Sequence, residues 1–321
     1  MRGAGRRALS FRCQDGKASG PRMMTTDTEK SAVISIGRIY CDLIFTGLDE
    51  LPVLGRELFA SDMEIAAGGG AFIAAAHFAH IGRTATLLAR LGTDTFSRAI
   101  GEKMQQSGVD LQFLEHSADA GPQVTVATVV GHDRAFLTRR AGIARPSTLD
   151  AAFSWNGACH LHIAEFATLH EIPDLVARAR DSGLSVSLDP SWDASLIYDK
   201  GLLKACDGVD VFLPNLEEAE AITGHSDPES AAKALSGSFP VVALKGGAEG
   251  AWVSSQTGLH HAAAKKVPVV DTTGAGDAFN AGFIDAWLRR ADEKLCLEAG
   301  VAAGSLAVQA TGGAPRTTAA A

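Results

Sequence analysis

The sequence has no apolar run that approaches the roughly 20 residues needed to cross a bilayer, although 46% of its 321 residues are hydrophobic. It also has no excess of basic residues, because 29 lysines and arginines stand against 37 acidic residues, a formal net charge of −8. These absences argue against a membrane protein and against a general nucleic-acid binder. We therefore expect a cytoplasmic protein with neither a membrane nor a nucleic acid as its partner.

Cysteine is scarce and scattered along the chain. No C-x-x-C pair occurs and the number of cysteines is odd, which argues against a disulfide framework. The spacing fits reduced thiols in a reducing compartment. The five cysteines are Cys13, Cys41, Cys159, Cys206 and Cys296.

The sequence also lacks a convincing cluster of metal ligands. Three histidines lie near one another, at His160, His162 and His170. The first two share a face of a predicted strand, but no aspartate or cysteine is placed to complete a metal site. We interpret these side chains as partly buried histidines near a strand end.

Two common phosphate-binding motifs are missing. No Gly-x-x-x-x-Gly-Lys-Ser/Thr occurs, and Gly274-Ala275-Gly276 is not followed by the third glycine of a dinucleotide fingerprint. The absences exclude a P-loop and a Rossmann-type nucleotide site, so the glycines at positions 274 and 276 need another interpretation.

The most informative stretch runs from Asp271 to Phe283 and is typical of a strand end that turns into a helix. Residues 267–270 are rich in valine, and residues 278–288 carry apolar side chains at helical spacing. The glycines fall at the turn between these two segments. Backbone N–H groups at a helix N-terminus have no intrahelical partner and attract anions.

The residues of this turn indicate phosphoryl transfer to an alcohol. Gly274 and Gly276 remove the side chains that would block a phosphate. Asp277 lies in the first helical turn, where a carboxylate can accept a proton from an attacking hydroxyl. Glycine-rich turns and aspartates at helix starts are also common as purely structural features, so the full thirteen-residue run carries the prediction.

This run resembles the C-terminal signature of the PfkB family of carbohydrate kinases, also called ribokinase-like kinases, and fills every required position. The resemblance implies ATP-dependent phosphorylation of a sugar hydroxyl, with Mg²⁺ bridging the nucleotide phosphates. Asp277 would act as the general base, and the backbone N–H groups of residues 274–276 would stabilise the transferring phosphoryl group. A monovalent cation such as K⁺ would lie beside Asp271 and Thr273.

Further motifs of the family follow in order, and several would lie at the sugar. Asp42 comes after the first predicted strand, at the sheet edge where ligands bind in open α/β sheets, although a turn aspartate would lie there too. Gly68 and Gly69 open an alanine-rich helix and let a substrate approach the backbone. Glu165 follows a later strand end and is a weaker substrate candidate. Ile73 replaces the family's usual asparagine, which favours a less polar or differently oriented substrate than ribose.

Other motifs would lie at the nucleotide. Asn215 and Glu218 form a pattern typical of a capping box at a helix start, and they also resemble the family's Asn-x-x-Glu motif near Mg²⁺ and the phosphates. Lys245 and Gly247 end the next strand, where the resemblance implies contacts with the nucleotide phosphates. The helix expected over residues 293–310 would form part of the adenine wall.

The order of predicted elements sets the fold class. Short apolar strands that alternate with helical patterns predict an α/β fold with a doubly wound, mostly parallel sheet flanked by helices, and the resemblance makes it ribokinase-like. Strands from about 45–67 and 123–140 predict a small antiparallel β lid. We expect one kinase domain over residues 31–316 and a tail over residues 317–321.

The first 30 residues differ from the rest, because they are rich in arginine, poor in acids and without hydrophobic periodicity. A transit peptide has a similar composition. We prefer a disordered leader or an upstream start codon, with Met23 or Met24 as the functional beginning.

Alternatives to a simple sugar kinase stay open. A nucleoside kinase of the same fold could stack a base on Phe45 or Phe72. A kinase of sugar acids such as 2-keto-3-deoxygluconate could hold the carboxylate with lid arginines. A non-catalytic sugar sensor would keep the fold without turnover. The resemblance further implies a homodimer formed through the lid. The lid arginines are Arg134, Arg139 and Arg140.

Overall fold

The structure is a computed structural model that describes residues 30–131 and 133–315. Cys13, residues 1–29 of the expected leader and the expected tail lie outside the described residues. The strands are β1 (Ala32–Ile36), β2 (Tyr40–Leu48), β3 (Asp62–Gly68), β4 (Ala85–Leu88), β5 (Arg90–Leu91), β6 (Glu115–His116), β7 (Val124–Val130), β8 (Asp133–Arg139), β9 (Ala158–Ile163), β10 (Ser185–Leu188), β11 (Val211–Phe212), β12 (Val241–Lys245), β13 (Ala251–Ser255) and β14 (Gly258–Ala262). The helices are α1 (Gly70–His80), α2 (Thr95–Gln105), α3 (Leu149–Phe153), α4 (Phe166–Glu171), α5 (Leu175–Asp181), α6 (Leu202–Ala205), α7 (Leu216–Thr223), α8 (Pro228–Leu235), α9 (Ala275–Leu288) and α10 (Glu293–Ala307).

Eight strands form one large sheet in the order β14-β13-β12-β11-β10-β9-β1-β4. The strands from β4 to β12 pair in parallel, and β13 and β14 add an antiparallel edge. Parallel strands are covered on both faces and therefore need near-continuous apolar runs, as in β1, where all five residues are buried. The predicted doubly wound, mostly parallel sheet is confirmed.

Each face of this sheet has its own core. Val33 of β1 packs with helices α1, α2, α9 and α10, whose buried side chains include Phe78 and Phe283. The next residue, Ile34, points to the opposite face and packs with helices α3 to α8. This alternation follows from the two-residue period of a strand. Among the described residues, no helix is both long and apolar enough to span a membrane.

A second sheet of four strands, in the order β3-β2-β7-β8, forms the lid. The pairs β2–β3 and β7–β8 are antiparallel, and a parallel pairing of β2 with β7 joins the two hairpins. Strand β2 begins at Tyr40, before the expected start near residue 45. Asp42 therefore lies within the lid sheet and not in the loop that follows β1.

One local prediction was wrong, and one element was missed. Residues 267–270 form no strand, since Pro268 cannot donate to a ladder and the side chains of Val269 and Val270 are exposed. Helices α4 and α5 are separated at Pro173, because proline has no N–H group for a helical hydrogen bond. The edge hairpin of β13 and β14 was not predicted, because exposed, polar β14 lacks an apolar run.

Candidate active site

Helix α9 begins in a left-handed turn that only glycine adopts easily. Gly274 has φ of 72°, and a Cβ atom there would lie 2.4 Å from the carbonyl oxygen of Gly313. The turn is thus packed directly on the C-terminal loop. A Cβ atom at Gly276 would lie 3.6 Å from Nζ of Lys245. The helix N-terminus and the lysine together make a positive site for an anion.

Asp277, in the first turn of α9, faces the start of α1. Its Oδ1 atom lies 3.1 Å from the position of a Cβ atom on Gly70. Burial raises the pKa of Asp277 to about 8; the negative charges of Asp189 and Glu218 also raise it, and Lys245 opposes them. A carboxyl group with a pKa in this range can accept a proton from an alcohol near neutral pH.

A buried polar cluster lies beside Asp277. Lys245 Nζ donates to Asp189 Oδ2, and Asn280 Nδ2 donates to the same oxygen at 2.6 Å. Asp189 and Asn280 are buried. Burial alone would lower the pKa of Lys245, but Asp189 and Glu218 raise it above its ordinary value. The cluster therefore fixes the lysine as a cation at the turn.

Sequence reasoning missed Asp189 and Asn280 as site residues. Both had a usable signal. Asp189 directly follows β10, at the sheet edge where ligands bind. Asn280 comes three residues after Asp277, so both side chains lie on one face of α9.

Asn215 and Glu218 lie next to Lys245. The Asn215 side chain accepts from the N–H of Glu218 at 2.8 Å, and the Glu218 carboxylate accepts from the N–H of Asn215 at 2.8 Å, which is a complete capping box. Burial raises the pKa of Glu218 to about 7, and the charge of Asp189 adds to the shift while that of Lys245 opposes it. Lys245 N donates to Pro214 O at 2.9 Å, which joins the motif to β12.

A cleft of about 700 Å³ opens against the turn. Lys245, Gly247 and Gly276 line one part of it, and side chains of α9 and α10 line another. Its apolar side chains include Phe279 of α9, Val301 of α10 and Val308, which directly follows α10. A cleft with one apolar wall and one cationic end suits a ligand that has a flat ring and an anionic group.

Two residues before Gly70, Gly68 packs against the carboxylate of Asp42. A Cβ atom at Gly68 would lie 1.9 Å from Oδ2 of Asp42, so a larger residue at this position would displace the Asp42 carboxylate. Gly69 has φ of 94°, and a Cβ atom there would lie 2.2 Å from the carbonyl oxygen of Arg38. Burial raises the pKa of Asp42 to about 7, against the hydrogen bond from Thr125.

Glu165 lies close to the same glycines. Its Oε1 atom accepts from Arg38 N at 3.1 Å and from Thr168 Oγ1 at 2.8 Å. The neighbouring Ala164 is 3.4 Å from the position of a Cβ atom on Gly70. The structure therefore brings Asp42, Gly68, Gly69, Glu165 and Asp277 together around the start of α1.

Arg140 and Tyr40 also border this region, and the sequence did not predict that they contact each other. Arg140 donates to Asp193 Oδ2 at 2.6 Å and to the hydroxyl of Tyr40. Burial raises the pKa of Tyr40 to about 12, and nearby Glu165 adds to the shift. Arg140 is thus already paired with a carboxylate.

Asp271 and Thr273 meet a lid side chain. Nη1 of Arg134 lies 3.0 Å from Asp271 Oδ1 and also donates to Thr273 Oγ1. The oxygens expected to border a monovalent cation therefore face a guanidinium group.

Three positions raised by the sequence lie within the core. His160 and His162 hydrogen-bond to the buried Ser187 hydroxyl at 2.8 and 2.9 Å, and no group of three or more metal-ligating side chains occurs in the described ranges. Ile73 packs against Gly313, where a Cβ atom would lie 2.6 Å from its Cδ1 atom. Ile73 thus supports the loop behind Gly274.

A sequence model described as pfkB family carbohydrate kinase matches residues 30–319. The chain belongs to this family. Among the relatives of this pfkB-family kinase is the ATP-dependent ribose-1-phosphate kinase of Halopiger xanaduensis, 29% identical over 284 residues that cover 85% of this chain and 90% of the relative. The 2-dehydro-3-deoxygluconokinase of Bacillus subtilis is 28% identical and covers 84% and 86%.

Solved structures of low sequence identity share the fold of the pfkB-family kinase. Arabidopsis thaliana ribokinase, complexed with ribose and ATP, has a TM-score of 0.76 at 23% identity and covers 89% of this chain and 95% of that chain. An E. coli protein assigned to ribokinase II, in complex with ATP and Mg²⁺, has a TM-score of 0.72 at 21% identity and covers 88% and 94%. The ribokinase-like fold class is thereby confirmed.

Proposed function

We propose that this carbohydrate kinase transfers the terminal phosphoryl group of ATP to a hydroxyl group of a sugar held between the lid and the start of α1. The observation that carries the proposal is the place of Asp277. Its carboxylate faces Gly70 on the side of Asp42 and Glu165, and lies one helical turn from the Gly274 turn and Lys245 on the other side. A hydroxyl group and a phosphate would thus meet beside one base.

Asp277 would accept the proton of the attacking hydroxyl. The O–H bond breaks as the oxygen–phosphorus bond forms, and ADP leaves with the electrons of the cleaved oxygen–phosphorus bond. Backbone N–H groups of Gly274, Ala275 and Gly276 would face the transferring group, where fixed dipoles stabilise developing charge without reorganisation. Asn280 and Asp189 would hold Lys245 at the phosphates.

The 700 Å³ cleft supports ATP as the donor. Its apolar wall on α10 fits an adenine, and Lys245 and Gly247 line it beside the anion turn. Mg²⁺ usually takes one or two carboxylates together with substrate phosphates, and the buried carboxylate of Glu218 next to Lys245 fits that use. When bound, the metal would neutralise charge on the phosphates.

The sugar would be held by Asp42 and Glu165, with Gly68 and Gly69 giving it access to the backbone. The relatives act on different substrates by name, including a ribose phosphate and a keto-deoxy acid, so the proposal stops at the class of sugars. Phe72 is fully buried and cannot stack on a nucleoside base, which leaves Phe45 as the aromatic that a nucleoside kinase would use.

The described arginines of the lid all have partners within the protein. Arg139 donates to the carbonyl oxygen of Pro122, Arg140 to Asp193 and Arg134 to Asp271. A sugar acid would have to displace one of these contacts. Neutral sugars are therefore our preferred substrates.

We also propose that residues 31–316 act as one kinase domain and that two lids pair in a homodimer. Exposed apolar side chains on the lid support the pairing; they are Phe59, Met63, Phe136 and Leu137. Light scattering of the purified protein tests it. A monomer at micromolar concentration would contradict it.

The test of the proposed function is coupled ADP release from the purified protein with Mg-ATP, across pentoses, hexoses, keto-deoxy acids and nucleosides. Turnover with a sugar is the expected result. Turnover only with nucleosides would show that the substrate is a nucleoside and not a sugar. If no compound of the panel causes ADP release but a sugar raises the melting temperature, the protein is a sugar sensor and not a kinase.

A further inference from the structure

One lid arginine contacts all three residues that precede the Gly274 turn. Nη1 of Arg134 lies 3.0 Å from Asp271 Oδ1 and also donates to Thr273 Oγ1, while Nη2 donates to Thr272 Oγ1 at 2.6 Å. The side chains of Arg134 and Asp271 are only 22% and 16% exposed. Because these charges are partly desolvated and make several hydrogen bonds, the contact is stronger than an ordinary surface ion pair.

Asp271 also stabilises the Gly274 turn through hydrogen bonds. Its Oδ1 atom accepts from the N–H of Thr273 at 2.8 Å and from Thr273 Oγ1 at 2.7 Å, and its Oδ2 atom accepts from Gly312 N at 2.9 Å. Gly312 precedes Gly313, on which Gly274 packs. One carboxylate therefore joins the two backbone segments that shape the turn.

The charge of Asp271 needs a nearby cation when the turn holds a phosphate. Both oxygens of the Asp271 carboxylate accept backbone hydrogen bonds, from Thr273 and Gly312, and Oδ1 faces the guanidinium group of Arg134, which is the environment of an ionised carboxylate. An uncompensated carboxylate three residues before Gly274 would repel an anion bound there. Arg134 is the described side chain that pairs with it.

We propose that Arg134 is a positioning residue that supplies, from within the chain, the positive charge otherwise expected from a monovalent cation at Asp271 and Thr273. The inference rests on the proposed function. An arginine suits this place, because its planar fork is always charged and can contact three oxygens at once. Since Arg134 belongs to β8, the contact also couples the position of the lid to the phosphate turn. Turnover then needs no added K⁺.

The ring of Phe136 supports the arginine. The guanidinium carbon of Arg134 lies 5.6 Å from the centroid of this ring, and the two residues share one face of β8. A cation is attracted to the face of an aromatic ring. The ring of Phe136 therefore restricts the orientations that the guanidinium group of Arg134 can adopt. The lid strand therefore presents Arg134 in a restricted orientation toward Asp271.

The experiment compares wild-type protein with Arg134→Gln and Arg134→Lys in K⁺ and in tetramethylammonium salts of equal ionic strength. Arg180→Gln is the matched control, because Arg180 of α5 pairs through Nη1 with Asp210 Oδ2 at 2.7 Å, outside the lid and the Gly274 turn. Two quantities are measured, the turnover with Mg-ATP and a sugar, and the melting temperature of the protein without ligands. The melting temperature decides the proposal even if no sugar is turned over.

We expect wild-type and Arg180→Gln turnover to change less than about twofold between the two salts. Arg134→Gln should lose about 10- to 100-fold in turnover without K⁺, less than removal of a group that contacts the transferring phosphoryl itself, and K⁺ should restore part of the turnover and raise the melting temperature. Arg134→Lys should lie between them. If Arg134→Gln does not fold, Thr272→Val, which removes one contact of the arginine, should show a smaller change in the same direction.

Three results would overturn the proposal. The first is strong K⁺ activation of the wild-type protein. The second is an Arg134→Gln variant that matches the wild type in both salts. The third is a loss in Arg134→Gln that K⁺ does not reduce in either measurement, since Arg134 would then be a structural contact without the role of a cation.

Discussion

Oδ1 of Asp277 lies 3.1 Å from the position that a Cβ atom on Gly70 would occupy. Asp277 is in the first turn of α9, and Gly70 is the first residue of α1. The carboxylate is thus held between the N-termini of two helices that pack together. A substrate hydroxyl can approach it across Gly70, because glycine has no side chain there.

Replacing Gly70 with alanine should displace this carboxylate. A contact of 3.1 Å is too close for a Cβ atom, so the Asp277 side chain must move by a few tenths of an ångström. We expect the turnover of Gly70→Ala to fall about tenfold, because small misplacements of a catalytic group are costly, while the KM for ATP stays within about twofold. Steady-state kinetics with varied ATP measures both values.

Gly101→Ala is the matched control. Gly101 lies within α2, and a Cβ atom there would meet nothing within 4 Å. This variant should keep full turnover and an equal or higher melting temperature, because alanine favours a helix more than glycine does. A Gly70→Ala variant that also keeps full turnover would contradict the placement of the reacting hydroxyl over Gly70.

Removing the charge of Asp189 should change both stability and the pH profile. Asp189→Asn leaves Lys245 without its buried partner, which typically costs about 3–5 kcal/mol, whereas Arg180→Gln breaks an exposed pair and should cost about 0–1 kcal/mol. Denaturant unfolding measures both values. A loss no larger than that of Arg180→Gln would show that Asp189 does not anchor Lys245.

The same variant tests the electrostatics of Asp277. The negative charge of Asp189 raises the pKa of Asp277, so its removal should shift the rising limb of kcat/KM to lower pH. A purely structural loss would leave that limb in place. The measurement is the pH dependence of kcat/KM for wild-type protein and Asp189→Asn.

The sequence-based prediction was strongest where local pattern and site coincide. The run from Asp271 to Phe283 predicted both the glycine turn and α9, because glycine conformation and helical spacing are local properties. The pattern of Asn215 and Glu218 likewise predicted the capping box. The strand expected at residues 267–270 was wrong, since valine content alone does not show whether a neighbouring strand is available for pairing.

Contacts between distant parts of the chain could not be read from the sequence. The pairing of Asp189 with Lys245 joins the ends of β10 and β12, which lie on either side of β11 in the sheet and are far apart in the sequence. The reach of Arg134 to Asp271 depends on how the lid lies over the turn. The early start of β2 was missed because the connection from β1 to the lid is very short, and Gly37 and Arg38 alone do not show that the chain leaves the large sheet there.

The ligand-free protein should lose stability as the pH rises from about 6.5 to 8. Burial raises the pKa values of three carboxyl groups, so the folded protein binds more protons than the unfolded chain up to these values and stability falls through them. They are Asp42 and Glu218, at about 7, and Asp277, at about 8.

Three buried histidines act in the opposite direction below pH 6.5. Burial lowers their pKa values, so the unfolded chain binds more protons there and stability is lost as the pH falls. They are His77 and His162, at about 4, and His160, well below its ordinary value. Because the carboxyl groups and the histidines roughly cancel between about pH 4.5 and 6.5, the melting temperature should change little there and fall above pH 6.5, and the melting temperature of Asp277→Asn should fall less steeply above pH 6.5. A melting temperature that rises from pH 6.5 to 8 would contradict this account.

The most direct test of the central claim is the turnover of Asp277→Asn with Mg-ATP and the sugar that the panel identifies. An amide has nearly the size of the carboxyl group but cannot accept the proton, so turnover should fall by about 10² to 10⁴ while the Kd for ATP stays close to that of the wild type. The rising limb of the pH profile should also disappear. Wild-type turnover in a folded Asp277→Asn variant would show that Asp277 is not the base.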